Sequence, residues 1–228
     1  MGSTCLVLAP VLGRPGRAAA LAASVRRGDP RCELLFLCSP DDDDEIAACR
    51  RVAWTTVVPW SPDEGGDWAR KCNLGYELAR QHGFEWALLG ADDLAFHPGW
   101  LDAALRAHGR TRACVVGTND LGNPRVTAGQ HSTHPLVHAD YIGCGGSADD
   151  PSKLLPTCYG HWFVDDEFVG QARARRTYVH AFESYVEHLH PDWEKSEQDD
   201  TYRRGQATIA EDRALFAERR RLWDPRAA

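Results

Sequence analysis

The 228-residue sequence contains no apolar run near the ~20 residues needed to cross a bilayer, so no membrane span is expected. It has no excess of positive charge. Lysine and arginine total 26 against 33 aspartates and glutamates, a formal net charge of −7, which argues against a general nucleic-acid binder. The eight cysteines (5, 32, 38, 49, 72, 114, 144 and 158) form no CxxC pair, and no HExxH-like spacing occurs, which disfavours a structural or hydrolytic zinc site. Most of them fall in apolar runs, where cysteine behaves as a small hydrophobe, and reduced thiols are expected. GxGxxG, GxxxxGK[ST] and GxSxG are all missing. These absences disfavour a dinucleotide enzyme, a P-loop ATPase and an α/β-hydrolase. The opening MGSTCLVLAPVLGRP has no positive leader ahead of its apolar part, so a cytoplasmic location is expected.

The first half is an alternation of strand and helix signals. Strands are expected at 5–9, 33–38, 55–58, 84–89 and 113–117. Helices are expected at 15–27, after the acidic run 41–44, at 67–81 and at 98–108. Repeated strand–helix–strand units with short links predict a mainly parallel, doubly wound α/β sheet. The second half is more polar and richer in loops. It carries an expected helix at 164–176, a strand at 177–186 and an amphipathic helical tail after Glu197. Residues 1–190 are expected to form one domain of two halves, 1–117 and 118–190. Residues 191–228 would be a helical extension.

Three clusters lie at the ends of expected elements. Asp92 and Asp93 follow the apolar run Trp86–Leu89, at the carboxyl end of a strand, where open α/β sheets bind ligands. Two adjacent acids there suit a hard divalent cation carrying a phosphate, although an Asp-Asp turn capping the next helix fits equally. Asp165-Asp166-Glu167 sit among Phe163, Val164, Phe168 and Val169. Apolar neighbours raise a carboxylate's proton affinity and suit it to proton abstraction; the structural alternative is an N-cap with a solvent-facing Glu167. His188 and His190 fall on one side of a strand and could face a metal or a pyrophosphate.

The order of these motifs resembles the family 2 type glycosyltransferases of GT-A fold, most closely those encoded by actinobacterial phages. VLAPVLGRPGR is similar to that family's opening strand and turn, RKCNLGYELA to its Asn-x-Gly helix, and LLGADDLAFHPGWL to its DxD strand. FVDDEFVGQARARR is similar to its acidic motif before a basic helix, and VEHLHP to its late metal-binding histidine. The likeness covers about residues 4–190. The pattern departs in three places. Gly90 stands where the first Asp of DxD is usual, Cys38-Ser39-Pro40 stands where an Asp usually faces the base, and Cys72 replaces an Arg.

The resemblance implies transfer of a sugar from a nucleoside diphosphate sugar to the hydroxyl of a glycan or protein acceptor, with inversion. It implies Mn²⁺ or Mg²⁺ held by Asp92, Asp93 and His188, and donor contacts from Pro10, Arg14, Arg70, Lys71, Asn73, Asp92 and Lys195. Asp166, in preference to Asp165, would take the acceptor proton, and Trp100, His131, His134 and Trp162 would line the acceptor side. Two other readings stay open. One is a sugar-1-phosphate nucleotidyltransferase, for which LGRPGR at 12–17 would be the phosphate loop. The other is an inactive domain that binds a glycan or a protein.

Overall fold

The computed structural model describes residues 4–224. Residues 225–228 of the expected extension lie outside them. Strand β1 (Cys5–Pro10) is buried along its whole length. Its side chains alternate between two apolar layers, with Cys5, Val7 and Ala9 on one face and Leu6 and Leu8 on the other. A turn at Pro15–Arg17 leads into α1 (Ala18–Gly28). There follow β2 (Cys32–Cys38), α2 (Asp43–Arg50), β3 (Trp54–Val57), α3 (Asp67–Gln81) and β4 (Trp86–Leu89). Asp42 caps α2 and three acids fill its first turn, so the acidic run serves the helix dipole as expected.

The expected elements of the first half are present within a few residues of their expected bounds, and one strand was not foreseen. Three residues, β5 (Leu94–Phe96), intervene before α4 (Trp100–Thr111). Beyond β6 (Val115–Asn119) and the single turn α5 (Pro124–Thr127) lies a second unforeseen strand, β7 (Leu136–His138). Helix α6 (Val164–Ala174) and β8 (Tyr178–His188) complete the body. The tail is two helices, α7 (Asp200–Gln206) and α8 (Ile209–Arg219), rather than one.

The eight strands run in the order β3-β2-β1-β4-β7-β6-β8-β5. β1, β2, β3 and β4 pair in parallel, as do β6 and β8. β7 runs against both of its neighbours, and β5 against β8. The expected parallel sheet is therefore mixed. Each antiparallel pairing involves a strand of only three residues, too short to leave a periodic signal in the sequence. All eight thiols are free. Among the described residues no helix is long and apolar enough to cross a membrane.

Candidate active site

Strand order reverses at β1, which has β2 on one side and β4 on the other, and a cavity of about 600 Å³ opens at the carboxyl ends of these strands. Pro10 and Val11 from the end of β1, and Ala91–Asp93 after β4, form one wall; Asp165 and Asp166 at the start of α6 form another. His131, His134, His188 and His190 lie between them, and Thr201, Tyr202 and Gly205 of α7 close the side.

The unforeseen β5 explains why the clusters meet. Its Leu94 pairs with His188, and the Leu189 N–H donates to the Asp93 carbonyl at 2.8 Å, so the end of β8 is stitched to the acidic pair. His188 Nε2 stands 3.3 Å from Asp93 Oδ2, and the Tyr202 hydroxyl donates to the same oxygen at 2.8 Å. Arg14 Nη1 donates to Asp92 Oδ1 at 3.0 Å, and Arg17 lies 3.6 Å from it. Both acids are buried. Burial, and then the neighbouring Asp93 charge, raises the proton affinity of Asp92. Burial opposes ionisation of Asp93 as well, but His188 and Tyr202 outweigh it and hold its carboxyl well below the usual range.

The remaining oxygens, Asp92 Oδ2 and Asp93 Oδ1, are sealed from solvent without any hydrogen-bond partner among the described residues. A bare buried carboxylate oxygen is costly, and a hard cation is its natural complement, so the donor set fits Mn²⁺ or Mg²⁺. The expected trio is adjacent but not convergent, because Asp92 is drawn toward Arg14. Among the described residues, the three side chains whose ligand atoms all lie within 4.8 Å of one another are His131, Asp165 and Asp166. Those carboxylates are already bound by the protein: His131 Nε2 lies 3.0 Å from Asp165 Oδ2, and Arg125 donates to Asp166 at 2.6 Å.

The acids of α6 do not cap it. The N-cap is Phe163, in the left-handed region at φ 67°, and its ring stacks on Phe216 of α8 with centroids 5.2 Å apart. Asp165 and Asp166 fall in the first turn, where the dipole favours negative charge and where both face the cavity. Burial disfavours ionised Asp165, yet His131 keeps it charged; burial and that adjacent charge together raise the proton affinity of Asp166. Glu167, which the capping alternative turns to solvent, is fully buried. It accepts the Tyr159 hydroxyl at 2.6 Å and two bonds from Arg219 of α8 at 2.8 and 2.7 Å.

Of the remaining expected residues, Pro10, Arg14, Trp162, His131 and His134 line the cavity. The others are placed elsewhere. Trp100 is a correction: its ring packs on Phe96 in the core, beneath Gly28, and cannot meet an acceptor. Lys71 is wholly buried, its ammonium held by the Val11 carbonyl (2.9 Å), Ser39 Oγ (2.8 Å) and Asp67 (2.7 Å). It braces the cavity wall from behind. Asn73 exchanges two hydrogen bonds with the Leu155 backbone, Arg70 pairs with Glu64, and Lys195 with Glu187, and none of the three lines the cavity. Arg125 and Tyr202 carry no motif signal in the sequence, and Arg17 enters only as the end of LGRPGR. Each is a polar residue in a loop or surface helix whose role depends on a contact far along the chain.

The absent first Asp of the expected DxD also has a local cause. A Cβ on Gly90 would lie 2.5 Å from the Leu8 carbonyl oxygen, which accepts the Gly90 N–H at 2.9 Å. The backbones of β1 and β4 approach too closely at that point for any side chain.

No protein-family model matches this sequence, and no curated protein matches it. Solved structures do match in shape. One is a mannosyltransferase from Pyrobaculum calidifontis in complex with GDP-Man and Mn²⁺: TM-score 0.62, 13% identity, 96% of this chain and 64% of that one. A second is TarS 1–349 of S. aureus in complex with UDP: TM-score 0.59, 13% identity, 82% and 59% coverage. A third is glucosyl-3-phosphoglycerate synthase from Mycobacterium tuberculosis in complex with Mn²⁺, UDP-Glc and glycerol 3-phosphate: TM-score 0.62, 13% identity, 97% and 80% coverage. The chain thus spans less than two thirds of the first two. The fold is that of the GT-A glycosyltransferases.

Proposed function

We propose that this protein is a metal-dependent glycosyltransferase that moves a sugar from a nucleoside diphosphate sugar to an acceptor hydroxyl with inversion. The observation that carries this reading is one cavity holding both the acidic pair Asp92–Asp93 and the α6 carboxylates. The family 2 assignment, and closeness to phage-encoded members, rest on the motif order. Asp92 and Asp93, with His188 beside them, would hold Mn²⁺ or Mg²⁺. When bound, such an ion neutralises charge on a leaving diphosphate. Pro10, Val11 and Trp68 line the end of the cavity suited to the nucleoside, and Arg14 faces the phosphates. Asp166 is the base. Its raised proton affinity suits it to take a proton from an acceptor hydroxyl, while His131 keeps Asp165 ionised and orients the pair. With Asp165 engaged by His131, Asp166 acting as a single base suits one displacement. Trp162, His131 and His134 would line the acceptor side, whose ligand is a glycan or protein hydroxyl. Residues 1–190 would form the catalytic domain, working in the cytoplasm.

The test is a thermal-shift screen of UDP, GDP and their sugars with and without Mn²⁺, followed by transfer assays. Stabilisation by one nucleoside diphosphate, enhanced by metal, is expected. Asp166→Asn should keep that stabilisation and lose about 10²–10⁴-fold in transfer rate. No shift with any nucleotide, with or without metal, overturns the reading. A nucleotidyltransferase is the second reading, favoured by Arg14 and Arg17 of LGRPGR standing against the acidic pair. Pyrophosphate release from a nucleoside triphosphate and a sugar 1-phosphate would establish it instead.

A further inference from the structure

Arg14 is fully engaged on two sides. Beyond its bond to Asp92, its Nε and Nη2 donate to the two oxygens of Asp199 at 2.9 and 2.8 Å, a bidentate fork. Arg17 reaches the same carboxylate at 3.6 Å. Three residues on, the Tyr202 ring lies beneath Arg14, with the guanidinium carbon 4.0 Å from the ring centroid, and its hydroxyl accepts a hydrogen bond from Arg17 Nη1 at 3.1 Å while donating to Asp93. Thr201 adds a hydrogen bond to the Leu12 carbonyl at 3.1 Å. The segment 199–202 is therefore clamped onto Arg14, Arg17 and Asp93, and one oxygen of each acid beside it is sealed from solvent without a partner.

We propose that Asp199 is an internal stand-in for a phosphate, and that residues 199–206 are a gate which a diphosphate opens by taking over the Arg14–Arg17 pair. The inference rests on the donor reading given above and adds to it the regulation of that site. A guanidinium fork binds a carboxylate and a phosphate through the same pair of parallel N–H bonds, so the two compete directly. Charge makes them exclusive. Asp92, Asp93 and Asp199 already face two guanidiniums, and a diphosphate added without removing Asp199 would crowd further negative charge onto the same two cations. Asp199 is also the piece best able to leave. Its side chain is 37% exposed against 9% for Arg14 and 6% for Asp92. Once Asp199 is displaced, Tyr202 loses its neighbour on Arg14, and the sealed oxygens of the acidic pair open to the cavity.

The experiment is calorimetric titration of UDP, GDP and inorganic pyrophosphate, with Mn²⁺ present, into the wild-type protein, Asp199→Asn and Asp200→Asn, combined with amide hydrogen exchange. Asparagine caps a helix as well as aspartate, so the first variant keeps the α7 cap that Asp199 gives the Tyr202 N–H and loses the charge and one arm of the fork on Arg14. Asp200 is exposed and pairs only with Arg203, so it controls for net charge. Asp199→Asn should bind a diphosphate on the order of tenfold more tightly than wild type, since no bound state must first be released. In wild type the amides of 199–206 should exchange faster when the diphosphate binds. Equal affinity of wild type and Asp199→Asn, an equal gain in Asp200→Asn, or unchanged exchange at 199–206 on binding each overturns the gate. Tighter binding of pyrophosphate alone by Asp199→Asn, with no binding of either nucleotide, keeps the gate and removes the donor reading. Binding of nothing by any of the three proteins removes both.

Discussion

Gly90 and Lys71 show how single residues fix the wall on which the site is built. Gly90 stands where the resemblance expects an aspartate, and the Leu8 carbonyl 2.5 Å from its would-be Cβ is backbone that cannot swing aside. Gly90→Asp, meant to restore the family pattern, should therefore destabilise the protein by at least about 1–3 kcal/mol, read as a fall in the urea midpoint, and should not raise donor affinity. Lys71 carries a charge with no exposure at all, satisfied by three oxygens from three elements. Lys71→Met fits the volume but leaves those acceptors bare. A loss of about 2–3 kcal/mol in the same measurement is expected, with nucleotide binding weakened only through the disturbed end of β1.

At the scale of elements, α8 is the support of α6. Its Asp212 accepts the backbone N–H groups of Gly160, His161 and Trp162 at 2.7 to 2.9 Å, which shapes the turn into the left-handed Phe163 and hence the aim of Asp165 and Asp166. Burial raises the proton affinity of Asp212, but the three amides and the Thr208 hydroxyl outweigh it, so its carboxyl sits below the usual range. A depressed folded-state value means that the stabilisation is present above the unfolded value, near pH 4, and is lost as pH falls through the lower folded value. Acidification below about pH 4 should loosen α8. Asp212→Ala should cost about 1–3 kcal/mol at neutral pH and remove that part of the acid dependence, measured by denaturant titration across pH.

For the molecule as a whole, folding and binding are linked through the cavity. Its walls come from the ends of β1 and β4, from α6, and from α7, so that residues as far apart in sequence as Pro10 and Gly205 share it. A ligand that fits only the assembled cavity stabilises every part of it. Saturation with the right nucleoside diphosphate and Mn²⁺, at a hundred times its Kd, should add about 2.7 kcal/mol to global stability. Asp92→Asn should abolish the metal-dependent part of that gain and leave the metal-free protein folded, since an amide still accepts from Arg14.

Local units are written in short stretches of sequence. Apolar runs closed by Gly or Pro, the dipole-matched acids of α2 and the length of α3 all follow from short-range rules, so β1 to β4, α4, α6 and β8 were legible within a few residues. The sequence also marked the acids at strand and helix ends, because a charged pair directly after an apolar run is visible without a structure. The tertiary structure alone decided which of these meet. β5 and β7 are three residues each and exist only because long-range partners complete their hydrogen bonds. The pairing of Leu94 with His188 is what brings the histidine to Asp93. Burial decided two further cases: Glu167, solvent-facing in the capping alternative, and Lys71, a donor contact by resemblance, are both enclosed because distant groups satisfy them. The placing of Asp199 and Tyr202 over Arg14 belongs to the same class. It depends on contacts that span 185 or more residues, and no local pattern encodes a partner at that distance.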